Sequence, residues 1–181
     1  MLKRFKQYAK AAEEKRVKSY EPPVKITDNI FIGSIDSVDV SKLMELHINN
    51  IVISGKELKK EEHSSFNILE LPLDDSFEQE IISYVKIAYK FIKDAIDISG
   101  NVLIHCYSGI SRSGSILVGY IMIDKHMTYD EAFSFVKAKY PKLFPNKNFE
   151  KQLRMFESEI LKKGGRKNKN KRGTRKYKKK H

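Results

Sequence analysis

The chain of 181 residues holds one cysteine, no apolar run of eighteen residues, and no acidic side chain between positions 162 and 181. A single cysteine excludes an internal disulfide and suits a reducing compartment. Without a long apolar run there is no candidate transmembrane helix. The opening Met1-Leu2-Lys3-Arg4 leads into charged residues instead of an apolar signal core, and position 2 is not glycine. Neither secretion nor N-myristoylation is therefore expected, and the site of action is expected to be the cytoplasm, the nucleus or both. No internal repeat is visible.

Charge is present, but unevenly. The net +12 divides into three parts. Residues 1–25 carry eight Lys/Arg against three Glu, and residues 162–181 carry twelve Lys/Arg against none. The interval 26–161 carries fifteen basic and twenty acidic residues and is mildly acidic. The organisation expected is a basic amphipathic N-terminal segment (1–25), a globular domain (26–161) and a basic tail (162–181). From 163 on the chain has almost no apolar content and is expected to be disordered. At 40% apolar residues the domain can fill one core.

Hydrophobic periodicity sets out the elements. Residues 2–18 repeat apolar side chains at helical spacing until Pro22-Pro23 stops them. Residues 25–33 read as a strand pair or a strand with a turn, 37–47 as a short helix, and 48–53 and 66–71 as strands. A long helix over 78–98 places Ile81, Val85, Ala88, Ile92 and Ala95 on one face. A short apolar run, 102–105, precedes an apolar helix over 112–126. Thr128-Tyr-Asp-Glu131 is a capping box opening a helix that ends before Pro141, and Asn148 is the expected cap of a last helix. Alternating strands and helices predict a single α/β domain, a central mixed sheet flanked by helices.

The lone cysteine stands at the most informative place. Val102-Leu103-Ile104-His105 ends at Cys106; Tyr107, Ser108, Gly109, Ile110 and Ser111 follow; then Arg112 and Ser113 open the apolar helix. Strand, tight loop and helix N-terminus together make a seat for a phosphate, which loop amides and the helix dipole favour. An ordinary thiol is only a few per cent ionised at neutral pH, and the same terms favour the nucleophilic thiolate. Arg112 can hold two phosphate oxygens with its planar fork, as a lysine cannot. Gly109 permits positive φ, so that the loop can turn inward. Ser113 can donate to the sulfur, cap the helix, or both. His105 is read as orienting and tuning Cys106. Tyr107 faces either solvent or substrate.

Transfer to sulfur needs a proton for the leaving oxygen. Asp74-Asp75-Ser76 follows a strand and precedes the long helix; Asp75 is the candidate acid and Asp74 the alternative. An aspartate pair before a helix is also an ordinary N-terminal charge pattern. Asn146 reads as a turn former.

The segment 105–114 resembles the His-Cys-x5-Arg-Ser/Thr signature of cysteine-dependent protein phosphatases. Its Ser-Arg-Ser ending is similar to the dual-specificity branch. The resemblance extends over residues 26–160. Residues 26–34 resemble the family's opening strand motif, and 71–75 its acid loop, with Asp75 at the general acid's place thirty-one positions before Cys106. Gly119-Tyr120-Ile121-Met122 resembles an Ala-Tyr-Leu-Met patch. Pro145-Asn146-Lys147-Asn148-Phe149 with Gln152-Leu153 resembles a Pro-Asn-x-Gly-Phe…Gln-Leu motif. Two departures, Asn148 for Gly and Gly119 for Ala, leave the chemistry untouched, since Asn also tolerates left-handed backbone.

The resemblance implies a hydrolase passing through a cysteinyl phosphate, with no metal and no cofactor. Cys106 is implied as nucleophile, Arg112 as the phosphate and transition-state ligand, Asp75 as acid then base, and Ser113 as the group assisting thiolate departure. Residues 107–112 would cradle the phosphate. Superfamily members acting on inositol lipids place lysines in this loop, and RNA 5′-triphosphatases place a His or other distinctive residues there. Tyr107 to Ser111 include no basic residue, which favours a phosphoprotein bearing phosphotyrosine, phosphoserine or phosphothreonine over a phosphoinositide or an RNA 5′-phosphate. The competing reading is an interaction module whose basic tail binds RNA, an acidic surface or a nuclear-import receptor. The N-terminal segment suits an anionic membrane surface or a partner's groove, and more commonly packing on its own domain or on a second copy, which leaves a homodimer open.

Overall fold

The computed structural model describes residues 20–58 and 65–173, with backbone alone from 163 on. The segment 1–19, read from sequence as amphipathic, and the last residues of the basic tail lie outside the described residues. Five strands form one mixed sheet in the order β1-β2-β5-β3-β4: Val24–Lys25, Ile30–Gly33, Ile48–Ser54, Asn67–Leu71 and Asn101–His105 in chain order. β1 runs antiparallel to β2, and every other pairing is parallel. Central β5 lies between β2 and β3, buried along nearly its whole length, which is why it reads as a continuous apolar run.

Alternate residues along these strands enter two cores, as the two-residue repeat of a strand requires. Ile30, Ile32, Val52, Val102 and Ile104 belong to the larger one. Phe31, Ile51, Ile53 and Leu103 belong to the smaller. The smaller face is covered by helix α1, Val40–Glu45, through Leu43. The larger carries α2 (Ile82–Asp97), α3 (Arg112–Lys125), α4 (Tyr129–Lys137) and α5 (Lys147–Gly173). Helix α3 is buried from Arg112 to Met122, so it is packed on all sides, with an apolar stretch from Ile116 to Met122 after its polar first turn. Gly119 lets it approach α2: a Cβ there would stand 2.6 Å from Val85 Cγ1.

Four boundaries differ from the sequence reading, each for a local reason. The expected helix 37–47 is a 3-10 turn, Ile35–Ser37, followed by α1, because Asp39 caps the lysine amide at position 42 and restarts the backbone. Helix α2 begins at Ile82, not at 78. Gln79 instead accepts the Asp74 amide, Glu80 accepts the Ser83 amide, and Gln152 accepts the Ile81 amide. The cap of α5 is Asn146, whose Oδ1 accepts the Phe149 amide at 2.9 Å, while Asn148 is already helical and donates to the Gln79 carbonyl. Asn148 therefore needs no left-handed backbone. Finally, α5 continues to Gly173, into the stretch expected to lack structure; lysine and arginine are good helix formers and outnumber the glycines and asparagines that oppose it. The capping box of Thr128 and Glu131 is present as read.

Candidate active site

Parallel strands gather functional loops at their carboxyl ends, and the catalytic candidates assemble there. Cys106 directly follows β5 and is 1% exposed. Its Sγ accepts the Gly109 amide at 3.2 Å and the Ser113 hydroxyl at 3.2 Å. One loop donor and one helix donor thus point at the sulfur, and both favour negative charge on it. Gly109 has φ +76, and a Cβ on it would lie 2.6 Å from the Tyr140 hydroxyl and 2.8 Å from the Gly33 carbonyl oxygen. Only glycine fits this position. Tyr140 is buried against the loop, and burial, reinforced by Glu21 and Cys106, pushes its phenol up to about 12. It stays a neutral wall.

Arg112, the first residue of α3, is 8% exposed. Its Nη1 meets both carboxylate oxygens of Glu57, at 2.6 and 2.7 Å, and donates to the Leu73 carbonyl at 3.3 Å. Its Nε is buried with no hydrogen-bond partner among the described residues, a donor of the kind that a phosphate oxygen satisfies. Gly55 allows the approach, since a Cβ there would be 2.7 Å from Arg112 Nη1.

The acid loop meets the cysteine loop directly. The Ser111 hydroxyl donates to Asp75 Oδ1 at 2.7 Å, the Asn146 side-chain amide donates to the same oxygen at 2.6 Å, and the Asn146 backbone amide donates to Ser111 Oγ at 3.1 Å. Ser111 occupies the N-cap position of α3 yet makes no cap hydrogen bond there. Its hydroxyl is engaged by the acid loop instead. Asp74 is held elsewhere: its carboxylate pairs with Lys56 at 2.6 Å. The structure therefore brings Asp75, and not Asp74, to the loop.

His105 is buried as the last residue of β5, opposite Gly33 on β2 and Ile53 on β3. Tyr107 and Ile110 project outward, and Ser108 is exposed. Two site residues escaped sequence reasoning. Glu57 lies fifty-five positions from Arg112, and its one signal is that a buried guanidinium requires a counter-charge. Asn146 was read as a turn former, although it both caps α5 and grips Asp75.

Comparison with known proteins agrees with this geometry. Residues 30–159 match the sequence profile of the dual specificity phosphatase catalytic domain. The chain is 34% identical over 140 residues to tyrosine-protein phosphatase vhp-1 of Caenorhabditis elegans, covering 76% of this chain and 21% of that protein. It is 33% identical over 141 residues to human dual specificity protein phosphatase 9, covering 76% and 37%. It thus spans well under half the length of these curated relatives. Among solved structures, the human tyrosine phosphatase-like serine/threonine/tyrosine-interacting protein superposes with a TM-score of 0.72 at 29% identity, over 77% of this chain and 97% of that one. Human DUSP28 superposes with a TM-score of 0.73 at 21% identity, over 77% and 95%, a likeness of fold. With a buried cysteine, an arginine and an aspartate converging on one loop, and with these matches over most of its length, the chain belongs to the dual-specificity phosphatase family.

Proposed function

We propose that the chain hydrolyses phosphorylated tyrosine, serine and threonine in proteins through a cysteinyl-phosphate intermediate. The observation that carries this reading is the junction of the acid and cysteine loops: Asp75 hydrogen-bonds to Ser111, five residues after Cys106 and adjacent to Arg112. Cys106 Sγ attacks phosphorus, and Arg112 carries the charge on the equatorial oxygens. Two donors already occupy Asp75 Oδ1, so the proton for the leaving oxygen sits on Oδ2. In the second step the Asp75 carboxylate takes a proton from water as its oxygen attacks the cysteinyl phosphate. The departing sulfur recovers its hydrogen bonds from Gly109 and Ser113. Phosphate leaves and the thiolate is regenerated.

A phosphoprotein substrate is supported by the phosphatase relatives and by a loop without basic residues. No helix among the described residues is long and apolar enough to cross a membrane. A catalytic thiol must stay reduced, which supports a reducing compartment such as the cytoplasm or nucleus for the proposed activity. The test is hydrolysis of an aryl phosphate and of phosphopeptides by the purified chain without added metal. Cys106→Ser abolishes turnover and retains binding of phosphate or phosphopeptide; turnover by that variant would overturn the covalent route.

A further inference from the structure

The cysteine loop is ringed by exposed apolar side chains. Tyr107 is 60% exposed, Phe144 63% and Phe77 72%, with Ile35 and Ile110 also exposed. Backbone hydrogen bonds fix their arrangement. The Ile35 amide donates to the Tyr107 carbonyl at 3.2 Å, and the Phe144 amide donates to the Ile110 carbonyl at 3.1 Å. Phe77 follows two residues after Asp75, whose carboxylate is bonded to Ser111 and Asn146. Three separate segments thus each carry a bulky apolar group to the margin of one loop. Burying such groups in a monomer is favourable, so leaving them in water around a site marks a contact surface.

Among the described residues, the lysines beside this margin already have carboxylate partners: Lys56 pairs with Asp74 and Lys142 with Glu21. A substrate that depends on further phosphates or acidic side chains competes with Asp74 and Glu21 for these two cations.

We propose that this margin selects phosphoprotein segments whose phosphorylated residue is flanked by large apolar or aromatic side chains. The inference rests on the phosphatase reading and deepens it, since the rim is continuous with the catalytic loop. An extended segment advances about 3.3 Å per residue and alternates its side chains. While the phosphate enters the loop, neighbours of the phosphorylated residue come over the margin that carries Phe144, Ile110 and Phe77, whose segments meet at the Asp75–Asn146 hydrogen bond.

The test uses three phosphopeptides that differ only in their flanks: leucine and phenylalanine, serine, or glutamate. The chain is expected to prefer the apolar flanks over serine by roughly tenfold to a hundredfold in kcat/KM, as burial of one or two such groups predicts. The Phe77→Ser/Phe144→Ser double variant loses that preference and keeps its rate on a small aryl phosphate, which shows that the fold and the chemistry are intact. Equal or better turnover of the glutamate-flanked peptide, or a preference surviving in the double variant, overturns the proposal. So does a dimer that the double variant abolishes without changing the peptide ranking, because the patch then belongs to a second copy. If no peptide and no aryl phosphate is hydrolysed, the phosphatase reading fails by itself. Calorimetric binding of the same peptides to Cys106→Ser still reads the flank preference.

Discussion

The Ser111 hydroxyl and Asp75 Oδ1 lie 2.7 Å apart across thirty-six positions of sequence, so one hydrogen bond couples the loop that seats phosphate to the loop that supplies the proton. Asn146 closes this pair into a triangle by donating to both partners. Because the Ser111 hydroxyl and the Asn146 side-chain amide both donate to Oδ1, the orientation of Oδ2 is fixed before substrate arrives, and preorganisation of that kind lowers the cost of reaching the transition state.

Asp75→Asn keeps an oxygen for Ser111 and Asn146 to address but has no proton to give. It is expected to lower kcat by about two to four orders of magnitude, with the deficit growing as the leaving group becomes more basic across a series of aryl phosphates. Asp74→Asn, which loses a pair with Lys56, leaves kcat near that of the unaltered chain. The reverse outcome assigns the acid to Asp74. Asn146→Ala loosens Asp75 without removing it, and produces a smaller fall in kcat at unchanged KM.

Glu57 holds Arg112 by two short contacts to one guanidinium nitrogen. Removing one partner of a fully buried pair costs about 3–5 kcal/mol. The Glu57 side chain is 43% exposed, so water replaces part of the interaction and the effect is smaller. Glu57→Ala is expected to reduce kcat/KM about tenfold and to weaken vanadate inhibition in parallel, as the guanidinium loses its alignment. Glu57→Gln retains an acceptor and falls between. Unchanged vanadate affinity in both variants would show that Leu73 and the packing of α3 suffice to position the arginine.

Ser113 donates to the sulfur at 3.2 Å, a contact of most use when the thiolate departs in the second step. Ser113→Ala therefore slows breakdown of the cysteinyl phosphate more than its formation. A hydrogen bond to a charged group is worth about 1.5–3 kcal/mol, which corresponds to roughly tenfold to a hundredfold in rate. Rapid mixing with an aryl phosphate is expected to show a burst of phenolate equal to the enzyme present, followed by a slow steady state. Absence of a burst with an undiminished steady rate assigns Ser113 to packing alone.

Much of this site was legible because its parts are local. Cys106, the five loop residues and Arg112 are contiguous, and Gly109 announces the positive φ that the structure shows. The apolar face of α2 reads directly from Val85, Ala88, Ile92 and Ala95, with Ile81 at its N-cap, all of them buried. What stayed hidden depends on topology. Glu57 reaches Arg112 only because β3 lies beside β5, and no spacing rule relates two residues on neighbouring strands' loops. Asn146 and Asn148 offer the same side chain two positions apart, and local propensity cannot rank them as caps; the choice falls to Asn146 because Asn148 is drawn to the Gln79 carbonyl. The start of α2 moved for the same reason, since Gln79 and Ile81 make hydrogen bonds to the acid loop and to Gln152.

The same helix α5 is pinned to α4 by Arg154, and this junction carries a pH dependence. The guanidinium bonds both oxygens of Asp130, at 2.7 and 3.0 Å, and Glu150 at 3.1 Å, and lies 4.4 Å over the Tyr129 ring. The hydrogen bond from Arg154 holds the Asp130 carboxyl below its ordinary value of 3.8. Lys147 first, and Arg154 second, hold Glu150 below its ordinary 4.5. Both acids are depressed in the folded chain, so the unfolded chain binds more protons as the medium is acidified. Their contribution is complete above the ordinary carboxylate range and is lost as pH falls through the depressed values. Arg154→Met is expected to lower Tm by a few degrees at pH 7, and the gap between the two proteins should close at pH below about 3.8. Thermal melts followed by far-ultraviolet circular dichroism across that range measure it. The aryl phosphatase rate at pH 7 should not change, because Arg154 touches neither loop of the site. A gap that stays constant to pH 3 would place the contribution of Arg154 in its stacking on Tyr129, which protonation of the carboxylates does not alter.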